Sequence, residues 1–245
     1  MLKQIGYAFY SVYFIFIAVA TYIIYSIPIQ IAYPFLGKKK HERYAFFAKM
    51  WAVTILALTR LTPKIHGQWP DKKEPYIYLF NHQSQLDILI ALAVLPIGFK
   101  FVAKEELFKI PFLGDSLRKN GYIPIKRQQA REAVAALEKV KGAIASGLSI
   151  LIFPEGTRSR TGAIGSIKRG SIMVAFETKT PMLPVVINPA YLIMPKGSFF
   201  LRPQRIDVQV GSPIILDWEN KNREYTLQSA ALMETTLKTQ LAQIA

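Results

Sequence analysis

The stretch NHQSQLD, residues 81–87, combines a histidine and an aspartate at a spacing that can support proton transfer. His82 is one of only 3 histidines in the chain, and Asp87 lies further along the same stretch. A carboxylate bound to one imidazole nitrogen fixes the tautomer of the ring. It also stabilises the imidazolium that forms when the other nitrogen takes a proton from a hydroxyl. The pair is therefore a candidate general base.

The elements around the pair decide whether it can form. The run YIYLF, residues 76–80, predicts a strand that leads into His82, and residues 85–95 predict a helix. Positions 82 and 87 would be separated by about 140° on a regular helix, so His82 must lie in the turn before it. Ser84-x-x-Asp87 is also a capping-box pattern, which leaves a purely structural role for Asp87 open. Ser84 lacks the GxSxG setting of a serine nucleophile.

A second polar stretch, FPEGTRS at residues 153–159, follows the apolar run SILIF. Pro154 interrupts strand pairing and Gly156 permits a tight turn. We therefore expect Glu155 and Arg158 at the carboxyl end of a strand. The planar guanidinium of Arg158 suits a phosphate monoester. The alternative is an ordinary polar turn with an internal ion pair.

Further basic residues follow two other predicted strands. Lys126 and Arg127 end the stretch GYIPIKR, residues 121–127, and Lys104 follows the strand predicted at 98–103. Solvated lysine and arginine side chains would explain them equally well one by one. Because the carboxyl ends of parallel strands meet at one edge of a sheet, a single cleft could collect these cations.

Strands alternate with helices along most of the chain, which predicts an α/β fold with a mixed, largely parallel sheet flanked by helices. An N-terminal two-helix membrane anchor is expected at 1–61, and the α/β domain at 62–245, with 62–74 as a polar joint. The predicted strands are 76–80, 98–103, 122–125, 149–153, 182–187 and 205–210. The predicted helices are 85–95, 129–146, 170–178 and 220–244, and residues 105–120 predict short helices broken by Pro111 and Gly114.

The N-terminal segment has the composition of a membrane helix. No residue from Ile5 to Gly37 is charged. The part before Pro28 would be about 35 Å long as a helix, enough for a hydrocarbon core of about 30 Å. The run continues well past Ala18-Val19-Ala20, which argues against cleavage as a signal peptide. Lysines at 38–40 follow it, a bias that keeps the downstream chain on the cytoplasmic side.

A second segment, residues 41–61, has apolar residues at helical spacing, which indicates an amphipathic helix. It can pack on the first helix or lie in the membrane interface, and we expect both, as a two-helix membrane-docking unit. The expected apolar stripe comprises Tyr44, Phe47, Trp51, Ile55 and Leu58.

Composition excludes several classes of site. The chain has no cysteine, which removes disulfides, thiolate zinc sites and cysteine nucleophiles. The histidines are far apart and HExxH is absent, so we expect no metal. The net charge is +15, with the basic excess in residues 1–70 and 98–170. Such patches attract phosphate on a membrane, a nucleic acid or a small substrate.

NHQSQLD, GYIPIKR, FPEGTRS and TPMLPVVI (residues 180–187) occur in the order and spacing of the four motif blocks of the glycerolipid acyltransferase family. The chain most resembles the 1-acyl-glycerol-3-phosphate acyltransferases of bacterial type. The resemblance covers about residues 76–190, and the N-terminal two-helix unit is also similar to that of the family.

This resemblance implies specific roles. His82 would be the general base on a glycerol hydroxyl, with Asp87 orienting it, and the hydroxyl would attack the thioester of acyl-CoA or acyl-carrier protein directly. No cofactor would be needed. The partners would be a lysophospholipid acceptor, the acyl donor and an anionic membrane, with no nucleic acid, and the location would be the bacterial inner membrane. The implied phosphate-binding residues are Lys104, Arg127, Glu155, Gly156, Thr157 and Arg158, and Pro184 would line the acyl side.

Two alternatives remain at this stage. The first is an acyltransferase for another acceptor, such as glycerol-3-phosphate or a lyso-aminolipid. The second is a non-catalytic, basic, membrane-tethered protein that binds nucleic acid or anionic lipid. The second explains the charge and the apolar segment but not the paired motifs.

Overall fold

The computed structural model describes residues 2–71, 74–125, 130–198 and 200–245. Its helices are α1 (Leu2–Ala32), α2 (Lys40–Leu58), α3 (Leu86–Val94), α4 (Leu113–Lys119), α5 (Ala130–Ala145), α6 (Arg169–Thr178), α7 (Ala190–Ile193) and α8 (Arg223–Gln243). Its strands are β1 (Lys64–His66), β2 (Ile77–Phe80), β3 (Phe99–Lys104), β4 (Ile123–Ile125), β5 (Ser149–Ile152), β6 (Met182–Asn188) and β7 (Asp207–Val210). Short 3-10 helices are formed by Tyr33–Phe35, Gly37–Lys39 and Glu105–Lys109.

The strands form one sheet in the order β1-β7-β6-β2-β5-β3-β4. Strands β4, β3, β5, β2 and β6 are parallel, β7 pairs antiparallel with β6, and β1 is parallel to β7. The predicted mixed, largely parallel sheet is thus confirmed. The strand β1 was not predicted, because residues 62–74 were assigned to a polar joint. It is a short edge strand with exposed or half-buried residues, so its sequence has no apolar alternation.

The strand β2 shows why these apolar runs form central strands. All its residues are buried. Tyr78 and Phe80 face a core shared with α2 and α3, whereas Ile77 and Leu79 face a core shared with α6 and α8. A strand covered on both faces needs apolar residues at every position, as in a parallel sheet. Both faces of the sheet are therefore closed by helices, and polar chemistry is confined to the strand ends.

Helices α1 and α2 form an antiparallel hairpin. The indole Nε1 of Trp51 donates to the Ala18 carbonyl at 3.2 Å, and the Tyr10 hydroxyl donates to the Thr59 carbonyl at 2.7 Å. The predicted stripe of α2 is partly wrong. Leu58 is 50% exposed, while Leu56, outside the stripe, is buried against the core of the α/β domain.

The outer face of α1 is apolar and uncovered. The segment Lys3–Phe35 contains an 18-residue window with a mean hydropathy of 2.1, and it is long and apolar enough to cross a membrane. One apolar N-terminal helix of this kind suggests membrane association. The apolar side chains that are more than half exposed on it are Phe9, Val12, Ile15, Phe16, Val19, Ile23, Ile24 and Ile31.

Candidate functional site

The end of β2 presents His82 at the carboxyl edge of the parallel strands. Asn81 is buried, and its side-chain amide donates to the Ile187 carbonyl at 2.9 Å while its Oδ1 accepts the Ile187 N–H at 2.7 Å. This side chain thus continues the pairing of β2 with β6 by one step. These bonds fix the backbone at Asn81, directly before His82. His82 itself lies in the turn before α3, as expected.

His82 and Asp87 form the predicted pair. The His82 Nδ1 lies 2.7 Å from the Asp87 Oδ2, and the Asp87 side chain is fully buried. The same oxygen accepts the backbone N–H groups of Gln83 at 2.6 Å and of Ser84 at 2.8 Å. Because a carboxylate accepts only, the Nδ1 facing it carries the proton, and Nε2 is the nitrogen that can act as a base.

The capping-box interpretation is half right. Asp87 accepts the Ser84 N–H, which is the reaching-back half of such a box. The Ser84 hydroxyl, however, accepts the N–H of Leu86 at 3.2 Å and donates to the Met194 carbonyl at 2.9 Å. Capping and the dyad are therefore compatible, since one carboxylate oxygen serves both.

The imidazole ring is oriented from a second direction. Phe153, at the end of β5, stacks on the His82 ring with centroids 4.1 Å apart and an interplanar angle of 20°. The His82 carbonyl accepts the N–H of Ser159 at 2.7 Å. The His82 side chain is 15% exposed to solvent. Within the described part of the chain nothing is hydrogen-bonded to Nε2, so this nitrogen is available to a substrate.

Glu155 is bound to the backbone on both of its oxygens. Oε1 accepts the His82 N–H at 2.8 Å, and Oε2 accepts the Gly165 N–H at 2.8 Å. The residue is buried, and this burial raises the pKa of the Glu155 carboxyl, while the two N–H groups act in the opposite direction. The geometry therefore favours a role in holding His82 over the direct substrate contact that the resemblance implied.

The turn after Glu155 is bonded to His82 through the Ser159 N–H, and it carries cationic side chains. Arg158 is half-buried, and its guanidinium forms no ion pair with any residue described by the structure. Lys196, which follows α7, donates from Nζ to the Thr157 Oγ1 at 3.1 Å and to the Arg158 carbonyl at 3.3 Å. Gly156 has φ +72°, a conformation that favours glycine. Lys196 was missed from sequence, because no motif surrounds it.

The remaining predicted residues lie further away. Lys104 ends β3, two strands from β2, which is about 10 Å at the usual strand spacing. It is exposed and pairs with Glu106 at 3.2 Å. Arg127, with Lys126, lies outside the described residues. Pro184 is buried inside β6, with its ring next to Gly211, so it does not line the edge where His82 lies.

The arrangement places a histidine that can act as a base next to a turn with cationic side chains. The described residues contain no group of three or more histidine, aspartate and glutamate side chains that could hold a metal ion. A second His–Asp pair, His66 with Asp207 at 2.6 Å, joins the edge strand β1 to its neighbour β7. No recognised sequence motif surrounds this second pair, so it provides an internal control for the His82–Asp87 pair.

Comparison with known proteins gives consistent results. A family model described as acyltransferase matches residues 62–188. The chain is 35% identical over 160 residues to the chloroplastic 1-acyl-sn-glycerol-3-phosphate acyltransferase of Arabidopsis thaliana, covering 65% of this chain and 45% of that protein. It is 31% identical over 206 residues to the 1-acyl-sn-glycerol-3-phosphate acyltransferase of Saccharomyces cerevisiae, covering 82% and 68%.

A solved structure extends the likeness to the whole fold. The crystal structure of the 1-acyl-sn-glycerophosphate (LPA) acyltransferase PlsC from Thermotoga maritima aligns with a TM-score of 0.83 and 26% identity, covering 99% of this chain and 97% of that one. The chain spans about half the length of the plant relatives that it matches.

Proposed function

Because the chain belongs to the acyltransferase family, we propose that it transfers a fatty acyl group to the free sn-2 hydroxyl of 1-acyl-glycerol-3-phosphate and forms phosphatidic acid. The donor is acyl-CoA or acyl-carrier protein. The observation that carries this proposal is the His82–Asp87 pair, which is bonded to the turn of Arg158; among the described residues, neither His82 Nε2 nor the Arg158 guanidinium has a partner. The names of the relatives support the same reaction.

In the proposed reaction, the Nε2 of His82 takes the proton of the sn-2 hydroxyl. The hydroxyl oxygen attacks the thioester carbonyl and forms the new ester bond, while the carbon–sulfur bond breaks. The imidazolium returns its proton to the departing thiolate, so the enzyme ends unchanged. Asp87 keeps the proton of the neutral ring on Nδ1 and stabilises the imidazolium.

The phosphate of the acceptor is held by the cations around the 155–159 turn. Arg158 supplies a planar pair of donors, and Lys196 supplies a second positive charge bound to the same turn. Lys104, at the end of β3, extends this basic edge. Glu155 does not touch the phosphate in this scheme, because both of its oxygens are engaged by backbone N–H groups.

Residues 1–61 form the proposed membrane anchor, and α1 lies along one leaflet. Its bonds to the α/β domain extend from Ser11, whose hydroxyl accepts the Leu201 N–H at 2.8 Å, to Gln30, whose side-chain amide donates to the Ser116 Oγ at 3.1 Å. Positions 11 and 30 are about 29 Å apart along the helix. A helix bound along this length cannot cross a bilayer by itself. The lysines at 38–40 favour the cytoplasmic face of a bacterial inner membrane.

The general base is tested by comparing His82→Ala with His66→Ala in purified protein. We expect His82→Ala to lower kcat by about 10²–10⁴, the usual contribution of a positioned base. His66→Ala removes a histidine that also pairs with an aspartate but lies on the edge strand β1, so its kcat should match the parent. Circular dichroism checks that both variants fold. Parental turnover by folded His82→Ala would refute the dyad.

A further inference from the structure

The segment between β3 and α4 exposes four consecutive apolar residues, Ile110–Leu113, which we call the apolar tip. Ile110 is 45% exposed, Phe112 69% and Leu113 40%. Isolated exposed apolar side chains are ordinary, but a contiguous exposed cluster marks a contact with a membrane or another protein.

The backbone of the apolar tip is held in a strained turn. Phe112 has φ 62° and ψ −50°, and the Leu113 N–H donates to the Pro111 carbonyl at 2.7 Å. This is the γ-turn with positive φ, which is rare and unfavourable for a bulky residue. Gly114 packs so closely that a Cβ there would lie 2.1 Å from the Phe108 carbonyl oxygen. Such strain persists only where the surroundings enforce it and is concentrated at functional positions.

The apolar tip adjoins the exposed face of α1. The Tyr22 hydroxyl donates to the Phe112 carbonyl at 3.2 Å and lies 2.9 Å from the Ser116 Oγ. Tyr22 is flanked on α1 by Val19 and Ile23, which are 54% and 53% exposed. The apolar tip and the apolar face of α1 are thus joined by direct hydrogen bonds. The chain has a net charge of +15, and the exposed Lys109 directly precedes the tip. An anionic lipid surface complements both features.

We propose that the apolar tip is a second membrane-inserting element, which enters the same leaflet as α1. One helix alone leaves the chain free to roll about the helix axis, whereas two contacts fix its orientation. The 3-10 helix before the tip starts at the carboxyl end of β3, the edge of the sheet that also carries His82. Insertion of the tip therefore turns the catalytic edge towards the lipid surface. This inference rests on the proposed docking of α1, but not on acyl transfer.

The test replaces Phe112 by tryptophan and uses vesicles of anionic phosphatidylglycerol with brominated acyl chains. The matched control is Leu232→Trp on α8, where Leu232 is 54% exposed on the opposite face of the sheet. The chain has 3 native tryptophans, so each spectrum is compared with that of the parent. We expect a shift to shorter wavelength and bromine quenching of the added emission in Phe112→Trp and neither effect in Leu232→Trp. Absence of quenching in Phe112→Trp protein that sediments with the vesicles would overturn the proposal.

A second variant separates membrane insertion from a fold defect. Glycine suits a positive φ, so Phe112→Gly should melt no lower than the parent. It removes an aromatic side chain from lipid and should weaken vesicle binding by about tenfold or more. Binding is measured by sedimentation and needs no turnover, so its outcome is independent of the proposed reaction. A parental affinity for vesicles would contradict the membrane assignment. So would sedimentation analysis without vesicles that shows a dimeric parent and a monomeric Phe112→Gly variant, because the tip would then bind a second copy of the chain.

Discussion

Replacing Asp87 by asparagine tests the dyad while preserving its shape. The asparagine oxygen can occupy the position of Oδ2 and accept the N–H groups of Gln83 and Ser84, so the turn before α3 should persist. What is lost is the negative charge next to His82 Nδ1, at a fully buried position. Two unit charges about 4 Å apart interact by about 4 kcal/mol at an effective dielectric constant of about 20.

Since about 1.4 kcal/mol corresponds to a tenfold change in rate, this loss predicts a fall in kcat of about 10³. The KM for the acceptor should stay unchanged, because Asp87 does not contact the substrate in this scheme. The assay follows acyl transfer by purified protein in detergent, with Asp207→Asn as the matched control. That change neutralises the aspartate of the pair with His66 and should leave kcat unaltered. A folded Asp87→Asn protein with kcat within about tenfold of the parent would refute the reasoning.

Three further changes probe other groups, two beside the His82–Asp87 pair and one in the buried part of β3. Glu155→Gln leaves one side-chain acceptor for the two backbone N–H groups of His82 and Gly165. In steady-state kinetics its kcat should therefore fall by about tenfold or more, with an unchanged acceptor KM. A raised acceptor KM alone would instead indicate that Glu155 contacts the substrate. Arg158→Ala should raise the acceptor KM by about tenfold or more and leave the donor KM unchanged, whereas equal effects on both would argue against a phosphate contact. Lys100 is buried, and this burial lowers its pKa to about 8 from the ordinary lysine value of 10.5. Between these two pH values the Lys100 amine is protonated in the unfolded chain and neutral in the folded one. The parent should therefore gain up to about 3 kcal/mol of unfolding free energy over that range relative to Lys100→Met, measured by thermal unfolding in detergent, and parallel curves would contradict this.

The contact between His82 and Asp87 could be predicted because its geometry is local. The spacing of His82 and Asp87 forces His82 into the turn, and the apolar runs on either side define a strand and a helix. The ambiguity between capping and a His–Asp pair came from the same locality. In the structure Oδ2 of Asp87 serves both, because it accepts from the His82 ring and from the Gln83 and Ser84 N–H groups.

Contacts between distant segments were not predictable in the same way. Lys196 reaches Thr157 across 39 positions, and Phe153 stacks on His82 only because β5 lies beside β2. Glu155 was expected to contact the substrate, but its buried carboxylate binds the backbone of His82 and Gly165. Sequence patterns indicate which residues lie at the end of a strand. Which other residues those side chains contact depends on the order of the strands in the sheet, which the patterns do not give.

The most direct measurement compares acceptors with the purified protein. Acyl transfer is followed from labelled acyl-CoA and from acyl-carrier protein to 1-acyl-glycerol-3-phosphate, to glycerol-3-phosphate, to a lyso-aminolipid and to the monoacylglycerol that lacks the phosphate. We predict turnover with 1-acyl-glycerol-3-phosphate, dependent on His82, and little with the acceptor that lacks phosphate. Activity confined to another acceptor, or equal activity without the phosphate, would contradict the proposed function.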